Sequence, residues 1–417
     1  MRMQNWAGNH EFTATRVHEP RSVDDVCEIV RRASKLRVLG TRHSFNDIAD
    51  SPGGDLISTK HLDRVISIED STVTFEGGIT YGKLAEHLHR EGFALHNMAS
   101  LPHISVAGAV ATATHGSGDR NGNLATAVRA MEVVTADGQI KQVSRETMGD
   151  RFDGCVVSLG GLGVVTKITL AVSQSFDVRQ DVFENLSHAD LRESFVQIMS
   201  SAYSVSLFTD WRGETINQIW FKRRASDAMP ASFASMKPTT RDLHPLAGCD
   251  PENCTQQMGV TGPWHERLPH FRMDFTPSAG EELQSEYFVP REQAMRAFDA
   301  LQPMRSRIAE LVQVTEIRTI ASDNLWMSPC YQTACVAFHF TWKNNWEGVR
   351  ALLPEIEATL APFRARPHWG KLFTMSAKQI HASYPKLQEF RALLTQFDPH
   401  SKFRNSYLQR HVFGVES

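Results

Sequence analysis

Five side chains in the last third of the chain can act together on a hydroxylated molecule: Glu316, Arg318, His339, Thr341 and Lys371. Side chains alternate faces along a strand. Along Val312–Ile320 this puts Val312, Val314, Glu316 and Arg318 on one face and Thr315, Ile317 and Thr319 on the other. Along Cys335–Trp342, Val336, Phe338, Phe340 and Trp342 form an apolar face, and Cys335, Ala337, His339 and Thr341 a small, polar one. Lys371 sits in the apolar run His368-Trp369-Gly370-Lys371-Leu372-Phe373, where an unpaired buried ammonium is costly and needs a partner or a task. The five groups can hydrogen-bond several hydroxyls of a polyol. The plainer alternative is a structural Glu316–Arg318 ion pair beside a satisfied core histidine, His339.

A second constellation lies near the N-terminus, in Arg37-Val38-Leu39-Gly40-Thr41-Arg42-His43-Ser44-Phe45-Asn46. A strand ending at Leu39 runs into a glycine-led loop, whose backbone N–H groups can wrap a phosphate; a surface turn with an incidental histidine is the alternative. The segment Ser105–Gly118 (SVAGAVATATHGSG) is built of small residues. Ser105 is placed to cap a short helix, and the backbone there can approach a large flat ligand closely. No G-x-x-x-x-G-K-[ST] is present, and Gly161-Leu162-Gly163 has Thr166 at the third glycine position with no helix after it, so P-loop and Rossmann nucleotide sites are disfavoured. His265-Glu266-Arg267-Leu268-Pro269-His270 is not H-E-x-x-H and contains a helix-breaking proline, so a zinc hydrolase is rejected despite 18 histidines, and no metal is expected.

The elements that must position these groups fall into two textures. Short helices and strands alternate first. Ser22 caps a helix carrying Val23, Val26, Val30 and Ala33. Val65–Ile68 and Val73–Phe75 form a hairpin. Thr80 caps a helix that stops at Gly92, and Met131–Ala136 and Gln139–Val143 flank Asp137-Gly138. From about Val172, longer aromatic-rich strands appear: Tyr203–Trp211, Ile216–Lys222, Gln284–Val289, Val312–Ile320 and Cys335–Trp342, with a helix over Arg291–Leu301 and a long loop over Ser226–Thr276. The pattern predicts an α+β protein of two domains, the second an antiparallel sheet with helices on one side.

The 417 residues carry 44 Lys and Arg against 47 Asp and Glu, a net charge of −3, with 41% hydrophobic residues. Such a balance gives no electrostatic reason to expect nucleic acid or an anionic membrane. The first residues lack the apolar core of a secretory leader, and Val156–Val172 is broken by Lys167 and three glycines, so a cytoplasmic protein without membrane spans is expected. The six cysteines lack zinc spacing and are expected to be structural or free thiols.

With these residues in view, the chain resembles the alditol (xylitol) oxidases of the vanillyl-alcohol-oxidase flavoprotein superfamily, essentially end to end. The resemblance rests on the His43 loop, Asn97–Gly108, Thr114-His115-Gly116-Ser117-Gly118, Gly163-Val164-Val165-Thr166 and Lys402-Phe403-x-Asn405, and more closely on Tyr203–Trp211, Gly262–His270, Glu316-Ile317-Arg318-Thr319, His339-Phe340-Thr341-Trp342 and His368-Trp369-Gly370-Lys371. Thr41-Arg42 departs from the smaller residues often found there. The resemblance implies an FAD-binding domain of the PCMH type over residues 1–174, a substrate domain over 175–384 and a C-terminal segment, 385–417, returning to the first. It implies FAD joined covalently through His43 to its 8α-methyl. The cradle would comprise Val38, Leu39, Gly40, Thr41, Arg42 and Ser44, with Ser105, Val110, Ala113, His115, Gly116, Ser117, Gly118 and Ile168. Ser105, Glu316, Arg318, Thr341 and Lys371 match polyol-contacting positions, and Lys371, Arg318, Glu316 and His339 the catalytic group, with either Lys371 or His339 taking the hydroxyl proton. The implied reaction oxidises the terminal alcohol of a polyol such as xylitol or sorbitol to the aldose and reduces O2 to H2O2, in a monomer. A sugar-1,4-lactone oxidase or dehydrogenase is the rival reading; a non-catalytic flavin-binding protein is more remote.

Overall fold

The computed structural model describes residues 3–228, 235–275 and 282–414. Ser22 opens α1 (Val23–Arg32) with a reciprocal capping box to Asp25, as the spacing predicts. Around it, β1 (Arg16–His18), β2 (Leu36–Leu39) and β3 (Asp55–Ser58) form a small parallel sheet in the order β1–β3–β2. The expected hairpins are β4 (Val65–Glu69) with β5 (Thr72–Glu76) and, beyond α2 (Tyr81–Arg90) and α3 (Val106–Ala111), β6 (Val128–Val134) with β7 (Ile140–Ser144). Gly138, at φ +75°, supplies the left-handed residue that the second turn requires. With β8 (Val164–Ala171) they make an antiparallel sheet, β4–β5–β8–β6–β7.

The second body is a sheet of nine strands. Six are long: β9 (Asp177–Ser187), β10 (Ser204–Thr209), β11 (Thr215–Arg224), β12 (Glu282–Pro290), β13 (Val312–Ile320) and β14 (Cys335–Lys343), in the order β9–β11–β10–β13–β14–β12, all antiparallel. Helices α4 (His188–Ser200), α5 (Ala294–Leu301), α6 (Arg305–Leu311) and α7 (Trp346–Leu360) cover one face. Phe195, Phe298, Leu352 and Ile356 pack there against Leu207, Ile317, Phe338, Phe340 and Trp342, each buried side chain contributing about 1.5–3 kcal/mol. The opposite face carries the polar side chains and turns toward the first body.

Three details differ from expectation. Arg291–Gln293 is a 3₁₀ turn, so α5 starts only at Ala294. Strand β13 is bulged: Val312 pairs with Trp342 but Val314 with Thr341, so the extra residue sends Val312 into the helix-side core while Val314, Glu316 and Arg318 keep the other face. In the expected loop over Ser226–Thr276, Lys237–Pro238 and Gly262–Pro263 add two-residue strands to β9, and 3₁₀ turns form at Pro251–Asn253 and Trp264–Glu266; residues 229–234 and 276 lie outside the described residues. All six cysteines are free, and no described helix is long and apolar enough to cross a membrane.

The C-terminal part returns to the first body through α8 (Leu387–Phe397), but Trp369, Ile380 and Tyr384 already join that core. The join is pinned under the His43 loop by Arg37. Its guanidinium is buried and donates to the carbonyls of Ile48, Leu159, Gly160 and Phe403 at 2.5–2.9 Å. Asn405 Nδ2 donates to the carbonyls of Asp47, Ile48 and Asp50. Arg37→Met would leave the carbonyls of Leu159, Gly160 and Phe403 without this donor, Ile48 keeping Asn405; a loss of about 3–5 kcal/mol is expected, read as a thermal midpoint lower by several degrees.

Candidate active site

A cavity of about 530 Å³ lies between the two bodies. Its first wall is the loop after β2, with Val38, Leu39, Gly40, Thr41, Arg42, His43 and Ser44 all lining it. The N–H groups of Thr41 to Ser44 donate to no group among the described residues, and Arg42 is held at φ +64°, so the loop has free donors to offer an anion. Thr41 Oγ1 accepts the Ser105 N–H at 3.0 Å and lies 3.0 Å from His43 Nδ1. Burial, with Lys371 nearby, pushes the His43 imidazole down to about 4, so the ring is neutral at neutral pH. Trp6 stacks on it with centroids 5.5 Å apart, and Asn5 and Asn9 hold the carbonyls of Ser44 and Phe45.

The floor is α3. Ser105, Gly108, Ala109, Ala111 and Thr112 line the cavity, with Leu159 and Gly160 beyond. Ser105 occupies the N-cap position as expected, but its side chain makes no capping bond. Its hydroxyl faces Gly40, where a Cβ would stand 2.4 Å from Oγ; only glycine allows the loop this close. A loop with unspent N–H donors over a floor of small side chains fits the phosphates and flat ring of FAD.

Not every expected cradle residue reaches the cavity. Val110, Ala113 and Ile168 are buried in the first core, and Gly116, Ser117 and Gly118 form a seam instead. Ser117 Oγ donates to the Val205 carbonyl, the Gly118 N–H to that of Thr319 at 2.9 Å, and Asn121 Nδ2 to that of Tyr203. These bonds tie the segment to β10, β13 and the approach to β10. His115 does line the cavity, and its ring faces Glu286.

The second wall is the polar face of the sheet. The register aligns Glu286 (β12), His339 (β14) and Glu316 (β13) in one row, with Gln284, Thr341 and Val314 in the next. Glu316, Arg318, His339, Thr341 and Lys371, from three elements, all line the one cavity. Arg318 donates to Glu286 at 2.9 Å, and its Nε lies 3.5 Å from Glu316. Burial pushes both carboxyls up. His115, His339 and Arg318 outweigh it at Glu286, Arg318 and His270 at Glu316, and both are held well below the usual range. Lys371 donates to Gln284 and lies 4.9 Å over the Phe45 ring; burial brings its ammonium down to about 8, against the pull of Glu286 and Glu282. Burial likewise lowers His339, and neither of its ring nitrogens has a hydrogen-bond partner among the described residues.

Comparisons with known proteins agree with this geometry. The FAD binding domain family matches residues 14–144, and the D-arabinono-1,4-lactone oxidase family residues 278–411. An alditol oxidase from Streptomyces sp. is 47% identical, over 98% of this chain and 99% of its own. The chain belongs to the alditol oxidase family. It is thus an FAD-dependent oxidase, and its relationship to the L-gulonolactone oxidase of Mus musculus is more distant, 26% identity over 98% of both chains. Cholesterol oxidase from B. sterolicum shares the two-domain fold, with a TM-score of 0.77, 14% identity, and 99% and 96% of the chains covered.

Three side chains central to this alditol oxidase homologue escaped the sequence reading. Glu286 and Gln284 follow the same alternation on β12 that exposes Glu316 on β13. His270 lies 2.7 Å from Glu316 in an irregular loop with no such signal. Glu286→Ala would leave Arg318 and His115 without their shared carboxylate; a stability loss of about 3–5 kcal/mol is expected in urea unfolding.

Proposed function

We propose that this protein oxidises the terminal primary alcohol of a polyol such as xylitol or sorbitol to the aldose, with covalently held FAD as acceptor and O2 reduced to H2O2. The observation that carries this reading is that His43 and the group Glu316, Arg318, His339, Thr341 and Lys371, far apart in the chain, line one cavity, with the polar sheet face opposite the loop. When bound, FAD supplies the hydride acceptor and passes the electron pair to O2. The loop Val38–Ser44, with Ser105 and His115, holds it. The neutral His43 imidazole has the lone pair needed to bond the 8α-methyl. The side chains that do not line the cavity, from Val110 to Ile168, serve by shaping the floor and the seam.

Ser105, Glu316, Arg318, Thr341 and Lys371 hold the polyol hydroxyls, and Arg318 and Lys371 stabilise negative charge developing on the reacting oxygen. His339 takes the hydroxyl proton: burial favours its neutral form, neither nitrogen has a hydrogen-bond partner among the described residues, Nδ1 standing 3.7 Å from Glu316, and the imidazolium it becomes lies in a row between Glu286 and Glu316. We assign the cofactor region to residues 1–174, the substrate region to 175–384 and the returning segment to 385–417, in a cytoplasmic monomer.

Turnover of xylitol or sorbitol well above that of an aldonolactone is expected in steady-state assays; the reverse preference would make the protein a lactone oxidase, and no turnover with either a flavin carrier. On acid precipitation the yellow colour is expected to stay with the protein and to be released by His43→Ala. Lys371 is a cation below about pH 8. Activity that needs this charge should fall as pH rises through 8, and Lys371→Arg, charged throughout, should abolish the fall. A rise through pH 8 that Lys371→Arg removes would make Lys371, not His339, the base. Lys371→Met is expected to lower kcat about 100-fold or more.

A further inference from the structure

Against the polyol wall sit a buried lysine, Lys222, which does not reach the cavity, and a histidine, His270, which lines it, and the reaction described above gives neither a task. Lys222, on β11, is 1% exposed. Its Nζ donates to the carbonyls of Leu268 at 2.7 Å and Pro269 at 2.8 Å, and lies 3.0 Å from His270 Nδ1. An ammonium has three donors and no acceptor. Burial pushes it well below the usual ammonium range, against the pull of Glu316; the ammonium has one N–H for each of the three acceptors and leaves the ring proton for Nε2, whereas a neutral amine would accept from Nδ1–H and set a bare Nε2 against the Glu316 carboxylate. Nδ1 of His270 must then accept, which puts the ring proton on Nε2, 2.7 Å from Glu316 Oε1. Phe208 and Trp220 meet the ring edge to face, with centroids 5.6 and 5.2 Å away, and fix its plane.

We propose that Lys222 and His270 are positioning residues for polyol oxidation: Lys222 fixes the His270 tautomer, and His270 Nε2–H holds Glu316 ionised with one oxygen committed, leaving the other for Arg318, His339 and substrate. The inference rests on the reading that Glu316 engages the polyol. Glu316 faces His270 from the loop, Arg318 on its own strand and His339 on β14; Lys222, Glu286 and Lys371 form the next ring of charges. Removing the Nε2 donor takes away a bond to the ionised carboxylate, so the Glu316 carboxyl keeps its proton to higher pH.

The test measures kcat and KM for xylitol against pH, with bound-flavin absorbance per protein, in the FAD-loaded wild type, His270→Phe, His270→Gln and Lys222→Met. His270→Phe is expected to lower kcat/KM about tenfold at pH 7, mainly through kcat, and to move the acid limb, where activity rises with pH, up by about one unit, with flavin unchanged. His270→Gln, which keeps an N–H donor, restores both; Lys222→Met shifts the limb in the same direction. A wild-type profile in His270→Phe overturns the proposal, as does an equal loss in His270→Phe and His270→Gln, with or without flavin loss. A Glu316→Gln control separates the two readings: unchanged xylitol kinetics there overturn the assignment of Glu316 itself.

Discussion

A charge buried in a sheet is tolerated only beside its opposite or among hydrogen-bond partners. This protein meets the requirement with one continuous line of groups: Lys222, His270, Glu316, Arg318, Glu286 and His115. Each member faces the next, by a hydrogen bond at every link but Glu316–Arg318, an ion pair at 3.5 Å, so removing one strands its neighbour. The line begins on a strand of the second body and ends on a segment of the first. The seating of the Leu268–His270 loop, the register of β12, β13 and β14, and the docking of the two bodies are therefore one electrostatic condition. His115 shows this most directly. Its Nδ1 lies 2.8 Å from the Gly116 carbonyl and its Nε2 3.0 Å from Glu286, so both nitrogens face oxygen and the ring bridges the bodies.

What the line does not use is what the cavity offers. His339 stands in the row between two carboxylates with neither nitrogen hydrogen-bonded among the described residues, and Lys371 spends one donor on Gln284. Thr341 and Ser105 add hydroxyls at two sides. A molecule carrying several hydroxyls supplies the hydrogen bonds that these groups lack, whereas an apolar guest would leave them stranded.

The polar wall was legible because a strand has a rigid period: Glu316 and Arg318, then His339 and Thr341, fall on one face wherever the strands lie. The same arithmetic failed at Val312 because a bulge adds a residue, and nothing in the local composition announces it. Glu286 obeyed the alternation but lay in a strand, Gln284–Val289, read only as aromatic-rich. Strand β9 was hidden by its buried polar residues Gln180 and Asp181, and α7 by Pro354 inside it. His270 had no period to betray it, since a loop residue acquires its partners only through the fold. Residues 116–118 were read as cradle because glycine and serine suit close backbone approach; in the structure Ser117 and Gly118 approach the neighbouring sheet and Gly116 the Met98 carbonyl.

Both ends of the described chain grip the turn that follows His43. Asn5 and Asn9 hold the carbonyls of Ser44 and Phe45, while Asn405 and Arg410 hold residues 47–50. The consequence is one of timing. During synthesis Asn5 and Asn9 are made before the loop around His43, yet the contacts to residues 47–50 come from residues made more than 350 positions later. Until residues 405–410 have been made, the turn beside the cradle is held from one side only, so the final shape of the loop is a late product of folding.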